Sequence, residues 1–191
     1  IDRRIAAGEK GAATLAMRGL LLRKLDRKEE ASIAYDRALA TDRRNPQAII
    51  GKAEMLVDAG RNDDALILYD RLVLIWPDAA DAYRRRAAVR SDVGDSVGAV
   101  ADLDILLSKA PDDTDALSSR TTLNLQRGKL AEALGDARTA VKLRGDKAWT
   151  HSLLANVLAA QGNRAEAVAE SDKALSLDPD DYTYRVRLNY G

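Results

Sequence analysis

Apolar residues along this chain fall three and four apart, in short runs that stop and restart at a regular interval. Ala148, Leu154, Ala155, Val157 and Leu158 form one stripe; Ala165, Ala167, Val168, Ala174 and Leu175 form the next. That spacing predicts amphipathic helices, and no run alternates apolar and polar residues strictly in twos, so no sheet is expected. Glycine marks the restarts. Gly60, Gly94, Gly128 and Gly162 follow one another at 34 residues, and Ala31, Ala65, Ala99, Ala133 and Ala167 keep the same step. Two residue types locked to one long period mean that one structural unit has been copied along the chain, and such copies stack into arrays.

Copies are taken to begin at Ala12, Pro46, Ala80, Thr114 and Ala148, giving repeats 12–45, 46–79, 80–113, 114–147 and 148–181. Position 15 of each copy is then glycine, except at Asp26. Position 8 is small throughout (Gly19, Ala53, Ala87, Thr121, Ala155), position 20 is alanine, and position 28 is branched and apolar (Leu39, Val73, Leu107, Val141, Leu175). Position 32 is proline in three copies, Pro77, Pro111 and Pro179, which predicts a helix stop. Each copy therefore reads as a helix, a turn at the glycine, a second helix and a stop. The small residues let paired helices approach closely, and a glycine suits a helix end that needs a left-handed residue.

These features resemble the tetratricopeptide repeat, a helix-turn-helix unit of the same length. The resemblance rests on the small position 8, the recurrent glycine, Ala at position 20, Tyr35 and Tyr69 in the second helix, and the closing "LDPDD" from Leu177 to Asp181. It implies an all-α, right-handed superhelical solenoid of stacked antiparallel helix pairs. Two positions depart from the pattern: position 11, apolar in the family, is Arg90 and Asn124 in the third and fourth copies. The whole chain, 1–191, is expected to be one array. Residues 1–11 align with the end of a second helix, as if a preceding unit were cut, and 182–191 fall where a further or capping helix would start.

Position 7 is basic in four copies, Arg18, Lys52, Arg86 and Arg120, a variant familiar in the family. Position 25 of the preceding unit supplies an acid for each: Asp2, Asp36, Asp70 and Asp104. Where position 7 becomes Leu154, its counterpart becomes Arg138. The covariation favours a ladder of ion pairs between repeats over an anion-binding stripe. Each exposed rung contributes at most about 1 kcal/mol, so the ladder sets register more than stability.

Charge balances at 30 basic and 30 acidic residues, which leaves no net field for nucleic acid or an acidic membrane surface. There is no cysteine, hence neither disulfides nor thiolate metal sites. His151 is the sole histidine, and it stands where the family carries a packing aromatic. No phosphate loop, dinucleotide fingerprint or HExxH motif occurs, so neither an enzyme, a metal nor a cofactor is expected. No apolar run reaches the length of a membrane span. Residue usage rich in Ala, Arg, Asp and Leu points to a bacterial source, in cytoplasm or periplasm.

The resemblance implies a partner, a protein or peptide segment lying in the concave groove of the first helices. Carried over residue by residue, that groove holds Gln47, Ile50, Glu54 and Asp58, then Asp81, Arg84, Arg85 and Asp92, then Ser118, Thr122, Trp149 and Asn156. The Lys and Asn of the family's carboxylate-gripping subgroup are missing. Trp149 reads equally as an exposed anchor or as packing on its neighbouring turn, and Arg84 and Arg85 as interface groups or as partners of nearby aspartates. A non-catalytic adaptor is thus expected. The alternatives are a regulatory or substrate-recruiting arm of a larger enzyme or secretion assembly, and a structural module that self-associates through its end repeats.

Overall fold

A computed structural model describes residues 11–179, in which ten helices follow one another. They are α1 (Ala12–Lys24), α2 (Lys28–Thr41), α3 (Pro46–Asp58), α4 (Asn62–Ile75), α5 (Ala80–Asp92), α6 (Ser96–Lys109), α7 (Thr114–Gln126), α8 (Leu130–Arg144), α9 (Ala148–Ala160) and α10 (Arg164–Leu177). No strand occurs among the described residues. The terminal expectations, a cut unit at the front and a further helix from Tyr182, lie outside or at the edge of them.

Odd-numbered helices end where the periodic glycine stands. Gly60, Gly94, Gly128 and Gly162 have φ of 71°, 85°, 70° and 83°, and Asp26, at the same repeat position, has φ 57°. At α3 the Gly60 N–H donates to Val57 O (2.9 Å) and the Arg61 N–H to Leu56 O (2.8 Å), the paired bonds of a Schellman end. The same pair recurs at Asp26 and Arg27, where a side chain is forced into the left-handed region. Asp26→Gly is therefore expected to stabilise the fold by about 1 kcal/mol, read as a higher urea midpoint at unchanged slope. No change would mean that the aspartate sits there without strain. Starts are signalled too: Asn45 and Asp113 accept the N–H groups of Ala48 and Ala116 at 3.0 Å, and Pro46 opens α3.

The alanines at repeat position 20 are the tightest seam, all at most 1% exposed. At position 8, Ala53, Ala87, Thr121 and Ala155 are buried, and the Thr121 hydroxyl is satisfied by Leu117 O at 2.8 Å. With side chains this small, the second helix of a copy lies against its first with little intervening volume, and larger residues fill the seams to the next copy.

Contacts divide the chain into two units, Ile1–Asp95 with α1 to α5 and Ser96–Gly191 with α6 to α10. In the first unit α1 packs on both α2 and α3, and Leu15, Leu22, Ala31 and Tyr35 form the core. A second cluster there joins Ile49, Leu56, Tyr69, Leu72 and Val89. In the second unit, Ala133, Ala137, Leu153, Leu154, Val157 and Leu158 close the core between α8, α9 and α10.

Candidate functional site

Two glycines shape the groove side of the first unit. Gly19 in α1 and Gly51 in α3 both abut the Tyr35 ring at Cε1 and Cζ; the ring rises from α2 and is 1% exposed. A Cβ on Gly51 would stand 2.2 Å from Tyr35 Cζ, and one on Gly19 2.7 Å from Cε1. Burial pushes the phenol above its ordinary 10.0, with the nearby Arg23 cation opposing. Over this ring opens a cavity of about 480 Å³. Ala13, Ala16, Met17 and Leu20 line it from α1, Gln47, Ile50 and Glu54 from α3, and Arg85 from α5.

The rim is ionic. Glu54 accepts hydrogen bonds from both Arg23 and Arg85, and Arg85 Nε also donates to Asp81 Oδ2 at 2.7 Å. Arg23 Nε lies 3.7 Å from Asp58, and Arg84 Nε 3.9 Å from Asp81. Arg85 thus binds its own neighbours while lining the cavity. Of the groove residues expected in this unit, Gln47, Ile50, Glu54 and Arg85 meet at one cavity, while Asp58, Asp81 and Arg84 surround it and Asp92 is exposed further along α5. Met17 and Leu20 were readable from the same repeat positions in the first copy; Tyr35 was not, because its place depends on the space left by two glycines.

In the second unit, Thr122 Oγ1 donates to Ser118 O at 3.1 Å, and Asn156 is half-buried. Trp149 is half-buried and packs against the core of α8 and α9. His151 is 7% exposed, with Nδ1 2.6 Å from Glu170 Oε2 and Nε2 3.1 Å from Gly145 O. Both ring nitrogens are engaged within the fold. Burial would raise the Glu170 pKa, but hydrogen bonds from Lys173 and His151 outweigh it and hold the carboxyl below its ordinary 4.5. A depressed carboxylate contributes stability above its unfolded pKa and loses it as pH falls through the folded one. Glu170→Gln is expected to flatten the acid limb of the stability curve below about pH 4.5, measured by urea titration from pH 7 downwards; an unchanged limb would assign it to other groups.

At the basic positions, Lys52 Nζ donates to Asp36 Oδ2 at 2.8 Å and Arg86 Nη1 to Asp70 Oδ1 at 2.8 Å. Arg120 Nη1 donates to Asp104 Oδ1 at 2.5 Å. Asp2 lies outside the described residues, so the rung to Arg18 does too. Arg120 has a second partner: its Nε and Nη2 grip Asp136 at 2.8 and 2.7 Å. The Asp136 hydrogen bond, against burial and with help from Asp104, holds this guanidinium above its ordinary range. Asp136 stands two residues before Arg138, the position that argues against pairing within a copy.

Among the described residues, no three histidine or acidic side chains converge as a metal site, and no helix is long and apolar enough to cross a membrane.

A model of the tetratricopeptide repeat matches residues 16–82, and a second model of that repeat matches 150–181. Among solved structures, YrrB, a tetratricopeptide protein with an unusual peptide-binding site, superposes with a TM-score of 0.83 at 20% identity, covering 96% of this chain and 95% of that one. MamA from Desulfovibrio magneticus RS-1 gives 0.81 at 17% identity, covering 91% and 98%. TTC0263, a thermophilic tetratricopeptide protein from Thermus thermophilus, gives 0.60 at 23%, covering 93% and 97%. At these identities the likeness is one of fold. Comparison with curated proteins gives no match.

Proposed function

Since this chain belongs to the tetratricopeptide repeat family, we propose that it acts without catalysis, holding a segment of another protein along its first helices. In the first unit that segment places one large apolar side chain in the cavity between α1 and α3. The observation that carries this reading is the cavity itself: Met17, Leu20, Tyr35 and Ile50 make an apolar floor, and Gln47, Glu54 and Arg85 stand at its edge. Pockets of a few hundred Å³ with an apolar body and few polar groups are the usual form of a specific site. A preformed floor also lowers the ordering cost of binding. The printed description of YrrB, a tetratricopeptide protein with a peptide-binding site, supports the same class of role. An arm of a larger enzyme or secretion assembly would use this contact in the same way.

The test is selection of displayed random peptides on the immobilised chain, followed by fluorescence anisotropy. Selected peptides are expected to share one large apolar residue, and Ile50→Asp to weaken them at least tenfold with helicity unchanged. Equal binding by wild type and Ile50→Asp would remove the cavity from the interface.

A second reading, self-association, is favoured by one observation. Ile33 and Ile67 occupy the same repeat position on α2 and α4 and are 57% and 65% exposed, with Leu74, 81% exposed, about two turns further along α4. Light scattering against concentration, with Ile67→Lys as the control, decides it: a mass that rises with concentration and falls in the variant supports self-association, and a constant monomer mass excludes it.

A further inference from the structure

Two tyrosines of the first unit occupy repeat position 24: Tyr35 on α2 and Tyr69 on α4, 1% and 2% exposed. Beside the Tyr69 hydroxyl the next copy places Arg85, at repeat position 6. Burial raises the Tyr69 phenol, and Arg85 opposes the rise through its charge and a hydrogen bond. Arg85 is held there by Glu54 of the preceding copy and Asp81 of its own. At Tyr35 the same three repeat positions are Gly51, Leu20 and Gln47. An ionic group over one tyrosine thus becomes a glycine, a leucine and a neutral amide over the other.

The Tyr35 hydroxyl is left to the cavity. A Cβ at Gly51 would stand 2.5 Å from it, so the missing side chain is what uncovers it. No hydrogen bond engages this hydroxyl among the described residues, and besides burial only the charge of Arg23 acts on it. Asn62 Oδ1 is the one fully enclosed side-chain atom without a partner among the described residues, so the Tyr35 oxygen reaches open space. The charged groups of the lining, Glu54 and Arg85, are committed to Arg23, to Asp81 and to each other. Gln47, exposed at the rim, has an uncommitted amide among the described residues. A ligand therefore meets an apolar floor and two neutral hydrogen-bonding groups, with both lining charges already paired.

Resting on the groove reading above, we infer that this cavity selects an amphipathic aromatic side chain, a tyrosine of the partner segment. Its ring covers Met17, Leu20 and Ile50, and its phenol hydrogen-bonds the Tyr35 hydroxyl within reach of Gln47. A phenol both donates and accepts, as a hydroxyl and a carboxamide do, so either direction of bond is available. Phenylalanine would cover the same floor but leave the Tyr35 oxygen without a partner once water is displaced, which is penalised. A partner's arginine would repeat the Arg85 arrangement without the acid that holds it, since Leu20 stands where Glu54 would be. An acidic side chain would compete with Glu54 and Asp81 for arginines that are already paired. Over Tyr69 the chain supplies the polar partner itself; over Tyr35 that role falls to the ligand.

The test uses the tightest peptide recovered by display, remade with tyrosine, phenylalanine or arginine at its large residue and titrated by fluorescence anisotropy. Wild type is expected to bind the tyrosine peptide at least about fivefold more tightly than the phenylalanine peptide, and tighter still than the arginine peptide. Tyr35→Phe removes one oxygen and keeps the ring between its glycines. It should bring the tyrosine peptide down to the level of the phenylalanine peptide and leave the latter unchanged. A phenylalanine or arginine peptide that binds wild type as tightly as the tyrosine peptide would overturn the inference. So would a tyrosine preference that survives in Tyr35→Phe. Loss of all three peptides in Ile50→Asp, with Tyr35→Phe indifferent, would keep the groove and remove the tyrosine preference. Recovery of no peptide, or binding of all three by Ile50→Asp as by wild type, would remove both.

Discussion

Replacing Gly51 by alanine is expected to destabilise the first unit by up to about 2 kcal/mol, although alanine is by far the better helix former. The propensity gain is about 1 kcal/mol, and it is outweighed by a collision. The new Cβ would lie 2.2 Å from Tyr35 Cζ, 2.4 Å from Cε1 and 2.5 Å from the hydroxyl. The ring has little room to retreat, because Gly19 already abuts its Cδ1 and Cε1 atoms and Tyr35 is buried to 1% exposure. Overpacking a closed site typically costs about 1–3 kcal/mol. In a Tyr35→Leu background the obstacle is gone, so the same Gly51→Ala change should be neutral or stabilising. Urea denaturation of the four proteins in that cycle reads the coupling directly. Equal destabilisation in both backgrounds would mean that the glycine serves the backbone and not the ring.

Arg120→Ala should be at least as damaging, and for an electrostatic reason. Removing the guanidinium strips two hydrogen bonds from Asp136, whose side chain is only 11% exposed. A carboxylate left in that position without a partner costs about 2–3 kcal/mol, somewhat under the figure for a fully buried pair because water still reaches its edge. Asp104, on the other side of the same arginine, is 58% exposed, and Asp104→Ala should cost under about 1 kcal/mol. Replacing Arg120 and Asp136 together by leucine should return stability close to wild type, since the desolvation of both charges is then avoided. Melting curves of the three variants check the ranking. If Asp104→Ala proved the more harmful change, Asp136 would not be the partner that matters.

Much of this architecture was legible because it repeats. The period placed the helix pairs, the alanine seam and the left-handed turns, since each depends on one residue type recurring at one position. It also put Asp36, Asp70 and Asp104 opposite Lys52, Arg86 and Arg120, and those atoms lie within hydrogen-bond distance. What the period could not convey is anything that differs between copies. Asp26 adopts the glycine conformation because a short polar side chain tolerates it. Asp136 reaches Arg120 from within the same copy, which a rule built on a single spacing does not consider. The cavity of the first unit exists because Gly19 and Gly51 coincide around one tyrosine, a coincidence of three positions found in no other copy. Asn124 stood out in the sequence as a departure from the family pattern, but that the position still buries it to 4% exposure needed the packing.

The central claim is that the apolar cavity of the first unit receives a partner's side chain. Methyl resonances of the isoleucines and methionines, followed while a selected peptide is added, test it most directly. Met17 and Ile50 line the cavity, whereas Ile33 and Ile67 project from second helices. Shifts at Met17 and Ile50, with Ile33 and Ile67 unmoved, are the expected result. Shifts at Ile33 and Ile67 while Met17 and Ile50 stay still would contradict the account and move the interface to the second-helix face.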